Sequence, residues 1–298
     1  MITLKSNRLR VEIAEPFEGS NTGFRFDRAG YITEIVLDER MHFCASEPRN
    51  LRHPSSGGRG FCNEYRFSVC ENTKIGEYFP KFGIGLIRKE EEGKYIFYKK
   101  YNDVIPFRID IHRENDRAIF TTEPMLCQGF ALHTVKSISL SNDMMTMRIF
   151  AKNTGEKTLT LQEFCHNFIS IDGMAIGSDY RIDLPQCPDL GYERLRNRSG
   201  DRPGSLRGNG KGISFCEYSA IDTDYAINPE AIANDVPFTW KISHQGARAY
   251  VECEESFKPV SAVIWAVDHI VSPEIVNGFT LEAGESTEYE RTWRFQMY

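Results

Sequence analysis

A histidine lies in the middle of QEFCHNFISIDG (residues 162–173), a stretch that has the pattern of a β-strand. Successive side chains of a strand point to opposite faces, so His166 shares a face with Phe164 and Phe168. An imidazole among aromatic and short polar groups suits a sugar, because C–H faces stack on aromatics while hydroxyls need hydrogen-bond partners. The same pattern also fits a core histidine that has found a partner, and the residues alone leave both interpretations open.

A second polar and aromatic cluster is RGFCNEYRF, which follows the glycine-rich stretch PSSGGRG. We expect Arg59, Asn63 and Glu64 either to hold the hydroxyl groups of a ligand or to form an ordinary charged strand edge. Together with Lys81, these residues are the predicted polar lining of the site around His166. Phe164 and Phe168 are its predicted aromatic lining.

Two other combinations suggest chemistry but have unfavourable spacing. Cys165 is a poor candidate nucleophile, because neighbours on a strand point apart and cannot form a thiolate–imidazole pair with His166. The same argument weakens a metal site or a charge relay at Asp268 and His269. We therefore predict no metal and no cofactor.

The elements that must position these residues are strands. Runs with period-two alternation recur along the chain and are bounded by Gly, Asn or Asp. The clearest are FRFDRAGYITEIVLD, read as two strands around a turn, and then YIFYKKY, FRIDIHR, RAIFTTE, MMTMRIFA, ARAYVEC, VSAVIWAV, NGFTLEAGES and TEYERTWRF. Only NPEAIAND (228–235) has a helical pattern, and RLRNRSGDRPGSLRGNGKG (194–212) is predicted to be a long exposed loop. The pattern predicts an all-β protein of packed, mainly antiparallel sheets, with residues 1–298 forming a single domain.

Composition narrows the classes of partner. The 36 basic and 42 acidic residues are spread along the chain without a basic block, which argues against a nucleic-acid partner and favours a small molecule. We find no stretch of about 20 apolar residues that would span a membrane and no apolar leader in MITLKSNRLRVEI. Eight scattered cysteines indicate reduced thiols. We expect a cytoplasmic protein without membrane contact.

Four stretches resemble galactose mutarotase-like proteins of the aldose 1-epimerase superfamily, in the same order. NTGEKTLTLQEFCHNFISIDG resembles the strand that ends in the family's His-Asn-Phe motif, and RFDRAGYITEIVLD resembles its opening hairpin. EYFPKFGIGLIRK is similar to a mid-chain segment, and VSPEIVNGFTLEAGES to the stretch where a glutamate precedes Leu-x-Pro-Gly-Glu. The similarity spans nearly the whole chain and implies a β-supersandwich that binds a sugar.

The resemblance also implies catalytic roles. It makes His166 the general acid and Glu274 the general base of an aldose 1-epimerase (mutarotase), which interconverts sugar anomers through ring opening. A second histidine, which the well-studied mutarotases carry roughly 70 residues before the first, is missing from GEYFPKFGIGLIRKEEEGKY, and Lys81 or Arg88 is expected to supply a cation there instead. Pro273 favours an edge or irregular position, from which Glu274 can turn into a cleft.

Three functions remain open at this stage: an epimerase, a carbohydrate-binding protein without turnover, and a sugar lyase or isomerase on the same fold. For the epimerase we expect burial to raise the pKa of Glu274. We also expect the functional atoms of His166 and Glu274 to lie roughly 5–9 Å apart, with one sugar ring between them.

Overall fold

Antiparallel strands make up almost all of the regular structure. The computed structural model describes residues 1–18, 21, 23–47, 57–187, 195–197, 206–208, 212–215, 223–227, 232 and 237–298. Among these residues the helical structure is limited to two single 3₁₀ turns, Cys70–Asn72 and Ile171–Gly173. The predicted all-β class is confirmed.

The first of two ten-stranded sheets carries both His166 and Glu274. Its strands, numbered along the chain and given in spatial order, are β1 (Ile2–Lys5), β2 (Leu9–Ala14), β3 (Tyr31–Leu37), β5 (Phe61–Arg66), β13 (Leu159–Asn167), β22 (Ile270–Leu281), β21 (Ser261–Val267), β18 (Thr223–Ile227) and β15 (Leu195–Asn197), with β4 (Met41–His42) paired to β3.

The second ten-stranded sheet packs against the first through a shared hydrophobic cluster. It contains β16 (Leu206–Gly208), β17 (Gly212–Phe215), β14 (Tyr180–Asp183), β19 (Phe238–His244), β20 (Ala249–Glu255), β23 (Ser286–Met297), β12 (Met144–Asn153), β11 (Leu132–Ser141), β10 (Arg117–Thr122) and β9 (Ile109–Arg113). A third sheet has three strands, β6 (Tyr78–Lys81), β7 (Gly85–Arg88) and β8 (Val104–Pro106).

Side chains that point inward at every second position of the strands form the core between the two large sheets. In β11 the burial alternates residue by residue, as expected for a strand with one face on a core. Phe61 of the first sheet stacks on Trp293 of the second, with ring centroids 5.4 Å apart, and Phe43 meets Phe295 at 4.9 Å. One hydrophobic cluster includes residues from β1 to β23, so both ends of the chain contribute to the same core.

Several local predictions need correction. Residues 24–26 form bends instead of the first strand of a hairpin, and YIFYKKY (95–101) is not a strand. Both segments are rich in aromatic side chains that pack on one another, as Phe24 and Tyr95 do on Tyr101, and this packing does not require extended pairing. Within the predicted loop 194–212 the described residues belong to β15, β16 and β17, and the rest lies outside the described residues. The predicted helix 228–235 also lies outside them, apart from Ile232.

Candidate active site

An interruption in the ladder between β13 and β22 opens the sheet beside His166. The regular pairing of these strands ends at Glu163 and Asn277, and Asn167 donates its backbone N–H to the side-chain oxygen of Ser272, Oγ, at 3.1 Å. The side chain of Asn167 donates to the Pro273 carbonyl oxygen at 2.6 Å. Pro273 lies in an interior strand, where it pairs in register with Ile264 of β21, so the alternative of a strand edge is wrong and the pairing is irregular only on the side of β13. Its neighbour Glu274 turns toward His166.

His166 lies between two carboxylates. Its Nε2 is 2.9 Å from Oε2 of Glu64 on β5, and its Nδ1 is 2.7 Å from Oε1 of Glu274 on β22. The contact with Glu274 has the distance of an ion pair without the alignment of a good hydrogen bond. The expected separation of 5–9 Å is wrong, because the two side chains project from neighbouring strands directly toward each other.

Aromatic rings enclose the imidazole. Phe168 stacks nearly parallel on it at 5.4 Å, Phe164 is tilted at 4.5 Å, and Phe26 meets it edge-on at 5.1 Å. The alternation predicted for β13 is thus correct. However, Phe164 and Phe168 are themselves buried, so they pack on the histidine and do not present an open surface. The His166 side chain is only 1% exposed, compared with 10% for each of Glu64 and Glu274.

Arg25 adds a positive charge on the far side of Glu64. Its Nε donates to Glu64 Oε2 at 2.9 Å, and its Nη1 lies 3.6 Å from Glu47. The guanidinium also packs over the rings of Phe97 and Phe26, at 4.4 and 5.1 Å. Sequence analysis missed Arg25, since it assigned residues 24–26 to a strand; the bend brings this side chain to the site.

Opposing effects set the pKa values of the three central groups. Burial alone would raise the pKa of Glu64, but the charges of Arg25 and His166 hold it well below its ordinary value. Burial would also raise the pKa of Glu274, but the charge of His166 lowers it. The increase in the pKa of Glu274 that the sequence led us to expect is therefore wrong. Burial would lower the pKa of His166, but the negative charge of Glu274 and the close contacts with both carboxylates raise it. These shifts favour an imidazolium between two carboxylates.

Lys81 is the buried cation that adjoins this cluster. Its Nζ donates to the Tyr65 carbonyl oxygen at 2.6 Å and lies 5.2 Å from the centre of the Tyr95 ring. Burial lowers its pKa to about 8, against the opposing effect of Glu64. Arg88, the alternative cation, is half-exposed and pairs with Asp103 at 3.4 Å. Of these two predicted cations, only Lys81 acts on the charge of Glu64, whereas Arg25 is the cation that acts on His166 itself.

Asn63 is one predicted site residue that the structure places elsewhere. It lies on the opposite face of β5 from Glu64, within the core, where Nδ2 donates to Glu163 at 2.6 Å and Oδ1 accepts from Lys136 at 2.8 Å. Neighbouring strand residues cannot both face one cleft, so the assignment of Asn63 to the sugar site is wrong. The alternation of side chains along FCNEYRF already predicts that Asn63 and Glu64 point to opposite faces of the strand.

Arg59 also makes its contacts away from His166. Its Nε donates to the Thr33 carbonyl oxygen at 2.9 Å, and Nη2 lies 3.8 Å from Glu34. These contacts tie Arg59 to β3, although its side chain stays partly exposed. The structure therefore brings Glu64 and Lys81 of the predicted polar lining to the histidine cluster and leaves Arg59 apart from it.

A network of buried ions lies behind the cluster, between the two sheets. Lys136 pairs with Asp27 at 2.7 Å, and both side chains are only 1% exposed. Asn63 links this pair to Glu163, which Arg291 contacts at 2.8 Å. The face of the first sheet opposite His166 is thus held by paired charges as well as by apolar contacts.

Other sites are not apparent in the described part of the chain. No group of three His, Cys, Asp or Glu side chains there is arranged to hold a metal ion. A cavity of about 330 Å³ lies on the outer face of the second sheet, lined in part by Asp183, Lys241, Glu252 and Arg294. It includes no residue of the histidine cluster, and its charges are mixed. No helix among the described residues is long and apolar enough to cross a membrane.

Comparison with solved structures identifies the fold. Over its full length, the chain aligns with 96% of the Slr1438 protein from Synechocystis, with a TM-score of 0.62 and 14% identity. A galactose mutarotase-like protein from Lactobacillus casei has a TM-score of 0.59 and 13% identity, with 99% of this chain and 100% of that chain covered. The chain has the galactose mutarotase-like fold.

The same galactose mutarotase-like fold extends to more distant sequences. An aldose epimerase homologue from C. elegans has a TM-score of 0.56 at only 8% identity, with 99% of this chain and 98% of that chain covered. No family model and no curated protein matches the sequence itself. At these identities the likeness shows the fold alone, so a function must be argued from the site.

Proposed function

We propose that this protein is an aldose 1-epimerase-like isomerase, which interconverts the α and β anomers of a sugar by acid–base catalysis. The observation that carries the proposal is the contact of His166 with Glu274 in a fold shared with mutarotase-like proteins. Anomer exchange needs one group that takes a proton and one that gives a proton. It needs no metal and no cofactor.

In the proposed reaction Glu274 takes the proton of the anomeric hydroxyl while His166 gives a proton to the ring oxygen. The bond between the anomeric carbon and the ring oxygen breaks, and the resulting aldehyde rotates and recloses on either face. The lowered pKa of Glu274 keeps it ionised near neutrality, and the raised pKa of His166 keeps the imidazole protonated. Each group contributes about 10²–10⁴ in rate.

Sugar binding must replace the contact between the acid and the base. The atoms of His166 and Glu274 are 2.7 Å apart, so a ring bound between them takes over their hydrogen-bonding positions. Glu64 contacts His166, and the charges of Arg25, Arg66 and Lys81 act on the two carboxylates. Trp265, which is half-buried and meets Phe168 at 5.6 Å, offers an aromatic face for the sugar, in place of the buried phenylalanines.

Saturation-transfer NMR over a panel of aldoses tests this function. We expect anomer exchange faster than the uncatalysed rate for at least one sugar, and a loss of about 10² or more in turnover for His166→Asn and Glu274→Gln. His112→Asn is the matched control, because His112 is exposed on β9 of the other sheet. Exchange that survives both site substitutions would refute the assignment.

The rate should also have a bell-shaped dependence on pH. Protonation of Glu274 sets the lower limb, and loss of the proton from His166 sets the upper limb. Since the pKa of Glu274 is lowered and that of His166 is raised, the plateau should be broader than the ordinary values of these groups predict.

A carbohydrate-binding protein without turnover is the second candidate. It is favoured by the burial of His166, whose side chain is 1% exposed and whose two ring nitrogens both face carboxylates. Titration calorimetry on the same panel separates the two candidates. Binding of a sugar whose anomers do not exchange would favour the binding protein.

A further inference from the structure

Both ring nitrogens of His166 face a carboxylate. Nε2 lies 2.9 Å from Glu64 and Nδ1 lies 2.7 Å from Glu274. A neutral imidazole has one N–H and one lone pair, so it would direct the lone pair at one of these negative groups. An imidazolium has an N–H for each of them. The geometry therefore favours the doubly protonated ring.

Glu64 is itself fixed in place by Arg25. The same oxygen, Glu64 Oε2, accepts a hydrogen bond from Arg25 Nε at 2.9 Å and contacts His166 Nε2. Arg25 cannot move easily, because it packs over Phe97 and Phe26 and also lies near Glu47. The orientation of the imidazole thus depends on Arg25 as well as on Glu64.

We propose that Glu64 is a positioning residue, which holds His166 as an imidazolium and directs its Nδ1–H to the side of the site where Glu274 lies. This inference rests on the proposed function, in which His166 is the acid. It adds to the predicted role of Glu64 as a contact for sugar hydroxyls. Arg25 and His166 both contact Oε2, so the orientation of Glu64 is fixed, while Oε1 keeps lone pairs that can accept from a sugar hydroxyl.

The proton balance of the proposed step follows from this orientation. The Nδ1–H bond of His166 breaks and a bond from hydrogen to the ring oxygen forms, while the anomeric O–H bond breaks and its proton passes to Glu274. His166 is left neutral, with its remaining proton on Nε2 and still facing Glu64. Reclosure of the sugar reverses each transfer, and no other reactant is needed.

The charged groups that face His166 come from three elements. Glu64 on β5 and Glu274 on β22 favour the imidazolium, whereas Arg25, in the bend before β3, opposes it. Lys81 on β6 and Arg66 on β5 act on the two carboxylates. Removal of the negative charge of Glu64 takes away the carboxylate that lies between Arg25 and the ring and leaves Glu47 as the only ion-pair partner of Arg25 among its described contacts, so the imidazolium should become markedly less stable.

NMR titration of the ¹⁵N-labelled imidazole tests the inference without any sugar. His166→Asn identifies the resonance, since the chain has seven histidines. We expect His166 to titrate above its ordinary pKa of 6.5 in the natural sequence, and Glu64→Gln to lower that pKa by about 1–3. Glu64→Asp, which keeps the charge, should restore most of the shift.

Glu47→Gln is the matched control. Glu47 also lies near Arg25, at 3.6 Å, but its other contact is the hydrogen bond that it accepts from the Gly58 N–H and does not involve His166. We expect a much smaller change in the titration of His166 than with Glu64→Gln. Equal changes in the two variants would overturn the positioning role, because they would show only a general effect of lost negative charge.

The outcomes also separate this inference from the proposed function. A His166 pKa at or below 6.5 in the natural sequence overturns the inference, and this measurement remains decisive even if Glu64→Gln does not fold. A raised pKa that falls in Glu64→Gln supports the positioning role, even if no aldose exchanges its anomers and the epimerase function fails. Anomer exchange with an unchanged titration in Glu64→Gln would support the function and refute the role of Glu64.

Discussion

The buried pair of Lys136 and Asp27 gives the clearest quantitative prediction. Lys136 Nζ donates to Asp27 Oδ2 at 2.7 Å, to the Ala29 carbonyl oxygen at 2.7 Å and to Asn63 Oδ1 at 2.8 Å. Lys136→Met keeps most of the volume but leaves the Asp27 carboxylate buried without its cation. Breaking a buried pair in this way costs about 3–5 kcal/mol.

A loss of this size is easily measured. At about 2–4 °C per kcal/mol for chains of somewhat smaller size, the melting temperature should fall by roughly 6–20 °C. Chemical denaturation followed by tryptophan fluorescence gives the free energy of unfolding directly. Lys152→Met on neighbouring β12 is the control, since Lys152 is exposed and surface changes usually stay within about 0.5 kcal/mol.

A double-mutant cycle decides whether the ion pair is the cause. Asp27→Asn removes the other charge, and the double variant with Lys136→Met contains no uncompensated ion at this position. We expect its loss of stability to be smaller than the sum of the two single losses by about 0.5–3 kcal/mol. Strictly additive losses, or equal losses for Lys136→Met and Lys152→Met, would refute the reasoning.

Three further predictions concern the surroundings of His166. The folded protein holds the pKa values of Glu64 and Glu274 below the ordinary 4.5, so their contribution to stability is present above that value and is lost as the pH falls through the lowered values. The denaturation midpoint should therefore drop progressively below about pH 5, with a shallower slope in Glu64→Gln. Gly58→Ala places a Cβ 2.3 Å from the Phe168 ring, and the resulting overpacking should cost about 1–3 kcal/mol in the free energy of unfolding; an unchanged midpoint would contradict this. Ser272→Ala leaves a buried backbone N–H of β13 without an acceptor and should cost about 1–3 kcal/mol, whereas Ser272→Thr keeps the hydroxyl and should cost less.

The sequence predicted the features that depend on local periodicity. Period-two alternation in TLTLQEFCHNFIS correctly placed Phe164, His166 and Phe168 on one face, because neighbouring side chains of a strand point apart whatever the tertiary fold. The same rule, applied to FCNEYRF, separates Asn63 from Glu64. The resemblance of four ordered stretches to mutarotase-like proteins anticipated the fold, which the comparison with solved structures then showed.

Only the tertiary structure decided which side chains meet at His166. Glu64, His166 and Glu274 come from β5, β13 and β22, which are far apart in the chain and adjacent only in the sheet. Arg25 comes from a bend that period-two patterning cannot detect. The distances and pKa shifts depend on strand register, on the gap in the ladder at Pro273 and on burial. Each of these arises from pairing between distant segments, so no local pattern in the sequence encodes it.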